Sequence, residues 1–310
     1  MISDQEVALL SREKEIDIAI DLKGFTHNSR PKIFAEGCAP IQVSYLGYPG
    51  TMGAEYIDYL LADQILIPKN KQKFYTEKIV YMPNSYQVNM SKRSVSKINL
   101  SRTNLGLPIT GLVFCCFNNL NKITPDTFAS WLRILKAVDN SVLWLLETNS
   151  DSIDRLKKVA NKSGVDQNRL ICAKHVPIEE HLNRISQADL FLDTQPYNAH
   201  TTCSDALRMG LPVLTLIGKS FASRVAASLL SSINLPELIT TSQEEYEALA
   251  IELAKTPQRL NSIKANLNAE IVSSSLFDSQ LFARQLEDAF FLMHEANLNN
   301  SKPKNIYLAT

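Results

Sequence analysis

Short apolar runs recur along the chain from residue 111 onward, at 112–117, 142–146, 170–173, 190–192, 213–216 and 238–239. They are mostly uninterrupted rather than alternating, which is the pattern of strands covered on both faces. Between them lie stretches of helical periodicity at 125–138, 178–188, 223–230 and 244–255. The first of these opens with Thr124 as N-cap and Pro125 at the first helical position. The alternation predicts a complete Rossmann-like α/β domain, a parallel sheet with helices on both sides. Ligands of such sheets bind beyond the strands' C-terminal ends.

The first hundred residues read differently. Residues 16–22 and 41–46 predict strands, 28–36 a helix with Pro31 near its start, and 65–67 and 78–81 weaker strands. Two or three strands with one crossover predict a partial N-terminal Rossmann-like domain whose other half is absent. The polar stretch 88–103 reads as a linker. Near the end, Leu281, Phe282, Leu286, Ala289, Phe290 and Met293 form a helical stripe over 279–294. That helix is expected to pack on its own domain or to cross back to the N-terminal part. The expected organisation is thus 1–103, partial domain and linker; 104–272, complete domain; and 273–310, crossing helix and tail.

Composition narrows the function. Lys plus Arg equals Asp plus Glu, 32 each, so no global field favours nucleic acid or an anionic membrane. No apolar run approaches the ~20 residues of a membrane span. The acidic start, Met1 to Glu6, lacks the basic region of a signal peptide, and a cytoplasmic location is the expectation. Five cysteines without a CxxC pair argue for buried thiols over a metal or redox motif.

The chemistry gathers in loops after strands. After 190–192 comes Asp193-Thr194-Gln195-Pro196-Tyr197-Asn198-Ala199-His200-Thr201-Thr202-Cys203-Ser204-Asp205, leading into a helix closed by Gly210. The amides of His200, Thr201 and Thr202 would be free at that helix start, a site that favours a phosphate. Lys122, after 112–117, adds a point charge. After 170–173 come Val176, Pro177 and a helix with His181 and Arg184 on one face. Gly218-Lys219-Ser220 is no P-loop, because Val213 stands where the first glycine belongs. No D-x-D pair follows a strand, so no metal is indicated, and protein cations and N–H donors would have to stabilise a leaving diphosphate. Two glycine loops follow the N-terminal strands: Gly24-Phe25-Thr26, and Gly47-Tyr48-Pro49-Gly50-Thr51. They read as tight turns or as backbone approaching a ligand.

These residues resemble the catalytic region of the O-linked N-acetylglucosamine transferases, glycosyltransferase family 41, which includes the SPINDLY-type enzymes. The resemblance is carried by Asp21-Leu22-Lys23-Gly24-Phe25-Thr26, Leu46-Gly47-Tyr48-Pro49-Gly50-Thr51, Phe117-Asn118-Asn119-Leu120-Asn121-Lys122, Glu179-Glu180-His181, His200-Thr201-Thr202 with Asp205, and Ala222-Ser223-Arg224-Val225-Ala226-Ala227-Ser228. It implies a GT-B fold and inverting, metal-independent transfer of a sugar from a nucleotide donor, with no further cofactor, to protein Ser or Thr. Carried over by position, Lys122 and His200 act at the diphosphate with Asn119, Thr201 and Thr202. Val176 and His181 meet the base, Arg184 supports that wall, and Asp205 holds the ribose or braces His200.

Two departures bear on the donor. Asn119 stands where the family usually has Gln, and Ile178 where animal enzymes have Lys. UDP-N-acetylglucosamine is the expected donor and GDP-fucose the alternative. The family's upstream strands and its tetratricopeptide repeats are expected in a segment outside this chain. A non-catalytic donor-binding fragment, or one piece of a split enzyme, is the competing expectation.

Overall fold

The computed structural model describes residues 2–91 and 100–309, so 92–99 of the expected linker lie outside the described residues. The chain forms two compact units, one of Met1–Ser91 with Ser275–Thr310 and one of Lys92–Ser274. Numbered in chain order, the first unit holds α1 (Asp4–Glu13), β1 (Ile18–Asp21), α2 (Lys32–Ala35), β2 (Ile41–Ser44), β3 (Tyr59–Ala62) and β4 (Lys78–Tyr81). The second holds β5 (Val113–Cys116), α3 (Pro125–Ala137), β6 (Val142–Leu146), α4 (Ser150–Lys162), β7 (Leu170–Ala173), α5 (Ile178–Ile185) and β8 (Leu190–Leu192). It continues through α6 (Thr201–Arg208), β9 (Val213–Leu216), α7 (Val225–Ser232), β10 (Ile239–Thr240), α8 (Gln243–Lys255) and α9 (Pro257–Ser273). The chain then rejoins the first unit as α10 (Ser279–Leu298) and β11 (Ile306–Tyr307).

In the first unit the strands run parallel in the order β1-β2-β3-β4-β11. The sequence pattern predicts two or three strands here, and the sheet has five among the described residues. Tyr59–Ala62 is fully buried and supplies a strand that the pattern missed. Residues 65–67 are a turn instead of a strand, because the Asp63 carboxylate accepts the amides of Ile65 and Leu66 and curls the chain. The helix expected at 28–36 shortens to α2, because Asn28 has φ +58° and Pro31 only then sets the helical turn. β11 is fixed by Asn305, whose side chain accepts the Ile79 amide at 2.8 Å, and by Tyr307 stacked on Tyr81 at 4.7 Å. Asp278 caps α10 by accepting the amides of Gln280 and Leu281. The helix buries Gln285, Ala289 and Met293 and stacks Phe282 on Tyr45, next to the end of β2.

The second unit is a six-stranded parallel sheet in the order β10-β9-β8-β5-β6-β7. Its four inner strands, β5, β6, β8 and β9, are short and almost wholly buried, as the uninterrupted apolar runs predict. Trp131 of α3 and Trp144 of β6 lie in the core with Phe114 and Phe191. From β5 the chain builds outward through β6 and β7, then returns to the other side of β5 for β8, β9 and β10. The reversal falls between β5 and β8, so the loops leaving those two strands flank a crevice at the C-terminal edge. Behind it, Asp189 ties β8 to β5 by accepting the Val113 amide, and it pairs with Arg102 at 2.7 Å and Lys264 at 3.0 Å.

Candidate functional site

The crevice is sealed by polar side chains from both flanking loops. Asn118, leaving β5, donates to the Thr194 hydroxyl at 2.8 Å and accepts from the Thr202 hydroxyl. Asp193, leaving β8, is 1% exposed. One of its carboxylate oxygens accepts the amides of Thr194 at 2.8 Å and Ala199 at 2.6 Å, and the other accepts the Thr215 hydroxyl at 2.7 Å. The loop between Thr194 and Ala199 therefore closes on a single carboxylate. It delivers the chain at His200 into α6, whose first residue is Thr201. The helix ends as the sequence predicts, with Gly210 at φ +72° and the Leu211 amide bonded to the Ala206 carbonyl at 3.0 Å.

Lys122 reaches the same loop. Asn119 caps the short 3₁₀ turn carrying it by accepting the Asn121 amide at 3.2 Å. Lys122 Nζ donates to the Asn198 carbonyl at 2.9 Å and sits 4.1 Å from the centre of the Tyr197 ring, a cation–π contact. Burial pulls its pKa down, and the negative charge of Asp193 opposes that shift. Tyr197 also stacks on the His200 ring at 4.8 Å. His200 Nε2 lies 3.3 Å from the Ala222 carbonyl, so that nitrogen carries the proton and Nδ1 is bare. Burial first, and then the Lys122 charge, hold His200 neutral with a pKa of about 4. Among the described residues the amides of His200, Thr201 and Thr202 have no acceptor. Positive potential and unspent donors thus meet beside Lys122.

A second wall stands after β7. The buried Arg184 guanidinium donates to His181 Nδ1 at 2.9 and 3.1 Å and to the Lys174 carbonyl at 2.6 Å. It lies 5.4 Å from the centre of the Phe117 ring, and His181 meets the same ring edge-on at 5.1 Å. A guanidinium only donates, so His181 Nδ1 is the acceptor and Nε2 carries the proton. Burial, then the Arg184 charge, depress the His181 pKa to about 4. Val176 is half-buried in the loop before α5, and Asp205 is buried on α6.

In the first unit, the two glycine loops close on each other. A Cβ on Gly24, at φ +51°, would lie 2.4 Å from Tyr48 Cβ, and one on Gly47 would lie 2.1 Å from the Leu22 carbonyl oxygen. Asp21 accepts the Lys23 and Gly24 amides at 2.9 Å, and the Thr26 hydroxyl donates to the Lys23 carbonyl. Thr51 is spent on Glu77, to which it donates at 2.6 Å, while Pro49 and Gly50 are half-buried beside Tyr48. The structure gives these residues internal packing partners.

Asp193, Tyr197, Asn198 and Asn118, which the sequence offers only as parts of longer motifs with no role of their own, hold the candidate site together. A buried carboxylate at a strand's C-terminal end before a polar loop was the available signal.

Comparison with known proteins fits this geometry. The profile of the family described as glycosyl transferase family 41 matches residues 4–99 and 90–286. The chain is 36% identical over 310 residues to an Arabidopsis thaliana protein named as a probable UDP-N-acetylglucosamine–peptide N-acetylglucosaminyltransferase, SEC, covering 98% of this chain and 32% of that protein. It is 32% identical over 306 residues to a Hordeum vulgare SPINDLY protein of the same description, covering 97% of this chain and 32% of the other. Among solved structures, a mutant Thermobaculum terrenum O-GlcNAc transferase superposes with a TM-score of 0.86 at 31% identity, covering 96% of this chain and 57% of that one. The chain spans about a third of the length of these two curated relatives. The two parallel sheets belong to the GT-B class of fold.

Proposed function

The chain belongs to glycosyl transferase family 41, and from that premise we propose that it transfers N-acetylglucosamine from UDP-N-acetylglucosamine to Ser and Thr hydroxyls of proteins. One observation carries the reading. At the switch point of the second sheet, Lys122 and the unaccepted amides of His200, Thr201 and Thr202 converge where a diphosphate would lie. The names of the Arabidopsis and Hordeum relatives support the choice of donor.

The residues divide the work by chemistry. The diphosphate rests on Lys122 and on the start of α6, with the Thr201 hydroxyl exposed beside it. The base lies against Val176 and His181. Because Arg184 occupies His181 Nδ1, the ring offers a fixed Nε2–H donor to a base carbonyl. The acceptor hydroxyl displaces the diphosphate at the anomeric carbon with inversion, through a transition state of oxocarbenium character. Negative charge then grows on the leaving diphosphate, and Lys122 and the α6 amides stabilise it without a metal ion. His200 contributes its amide and a neutral ring. Its charge would cost desolvation next to Lys122.

A transfer assay with labelled UDP-N-acetylglucosamine and a Ser/Thr-rich acceptor protein tests this. Lys122→Ala should cut kcat by about 10²–10³, the usual loss when one stabiliser of a developing oxyanion is removed. Unchanged kcat would refute the leaving-group role. Faster transfer from GDP-fucose would overturn the donor assignment. Donor binding without transfer would replace the enzyme reading with that of a donor-binding module.

A further inference from the structure

Lys122 and Asp193 are joined through one peptide group. Lys122 Nζ donates to the carbonyl oxygen of Asn198 at 2.9 Å, and the N–H of the same peptide, belonging to Ala199, donates to Asp193 at 2.6 Å. A cation therefore pulls on one end of this peptide dipole and a carboxylate on the other. The next residue is His200, whose amide opens the start of α6. Neither charge is solvated in the ordinary way: Asp193 is 1% exposed and Lys122 is partly buried.

We propose that Asp193 is a positioning residue that takes up a proton when the donor's diphosphate engages Lys122, so that donor binding is coupled to protonation through the Asn198–Ala199 peptide. This rests on the donor-site reading above. A diphosphate near Lys122 offers its ammonium better acceptors than one carbonyl oxygen, and the peptide then loses the cation that polarises it. It also brings negative charge toward a carboxylate that burial already penalises. Both effects favour the neutral acid. The unliganded carboxyl, raised by burial to about 7 against its hydrogen bonds and the Lys122 charge, starts close to the pH at which a small further push binds a proton.

The other groups around Asp193 do not mimic this. Cys116 of β5, Cys203 of α6 and Tyr246 of α8 are all pushed up by burial and stay neutral near pH 7. Thr215 of β9 supplies only a hydroxyl. His200 would also gain a proton from a nearby anion, but it starts from about 4.

The variant that separates charge from shape is Asp193→Asn. The amide oxygen can still accept the Thr194 and Ala199 amides, and its NH₂ can donate to the Thr215 hydroxyl, so the loop keeps its clamp and loses only the titrating group. UDP-N-acetylglucosamine is the suitable probe, because its diphosphate diester does not titrate near neutrality. The experiment is calorimetric titration of the intact chain at pH 6, 7 and 8, in two buffers of different ionisation enthalpy. The wild type should take up a fraction of a proton per donor bound at pH 7 and 8. Its affinity should fall roughly three- to tenfold from pH 6 to pH 8, as one linked proton allows. Asp193→Asn should show little uptake above pH 7 and a flat affinity. Equal uptake in the variant, or none in the wild type, overturns the proposal while leaving the donor site standing. If the variant does not fold, Thr215→Val serves: it removes one hydrogen bond from the carboxylate, so the uptake should move to higher pH, and an unmoved profile contradicts the assignment. No donor binding by the folded wild type at any pH overturns the donor-site reading and this inference with it.

Discussion

Lys122 is held in a place that costs it hydration, and what offsets that cost is local: the Asn198 carbonyl, the Tyr197 ring and the charge of Asp193. Such a lysine is poised for an incoming anion, because the anion replaces solvation already lost. His181 shows the same economy in a neutral group. Arg184 fixes its tautomer and, after burial, depresses its pKa. Arg184→Gln should therefore raise the His181 pKa from about 4 toward the ordinary 6.5, though not fully, since burial remains the larger cause. An NMR titration of the His181 ring reads this directly, and an unmoved midpoint would remove Arg184 from the account. The same variant should weaken the binding of a UDP-sugar, roughly tenfold if one hydrogen bond to the base is lost.

The elements that carry the site differ in how they are held. In the first unit, the loops after β1 and β2 approach so closely that only glycine fits at their crossing. Gly47→Ala would place a Cβ 2.1 Å from the Leu22 carbonyl oxygen, against backbone that cannot swing away. Chemical denaturation should show a loss of about 1–3 kcal/mol, the usual cost of overpacking. An unchanged midpoint would mean that the two loops relax freely. Legibility in the sequence follows the same physics. β6 and β7 appear as apolar runs with their observed bounds; β6 is covered on both faces, while β7, at the sheet edge, keeps Ile171 and Cys172 half-buried. α4 went unread because only Ile153 and Ala160 of its thirteen residues are buried, and its other apolar residues, Leu156 and Val159, stand among polar neighbours. α9 carries a readable spacing of Leu260, Ile263 and Leu267 that the pattern reading passed over. β3 was displaced onto 65–67, because the isoleucines there look more strand-like than Tyr59–Ala62. β11 has two residues and is held by Asn305 and Tyr307, contacts that no local pattern encodes. At the site, Lys122, His181, Arg184 and the start of α6 stood out as charged or capping residues after strands. Asp193 and Asn198 did not, because their importance lies in which amides and carbonyls they reach.

For the whole molecule, the buried Asp193 and the half-buried His181 and His200 set opposing dependences on pH. His181 and His200, each lowered to about 4 from 6.5, bind fewer protons folded than unfolded between those values. Their contribution is present above the unfolded pKa and is lost as the pH falls through that window. Asp193, raised to about 7 from 3.8, keeps a proton that the unfolded chain releases. Its contribution is present at low pH and fades as the pH rises to 7. Two histidines outweigh one aspartate, so the melting temperature should climb from pH 4.5 to about 6.5 and gain nothing beyond it. Calorimetric melting across that range checks this, and a steady fall from pH 4.5 to 6.5 would contradict it. The donor site itself is tested most directly by a crystal structure of the chain with UDP. The diphosphate should lie at the C-terminal edge of the second sheet, with an oxygen within hydrogen-bonding distance of Lys122 Nζ, others on the amides of Thr201 and Thr202, and the base against His181. UDP bound elsewhere, or at this edge with its phosphates turned away from Lys122 and the start of α6, would contradict it.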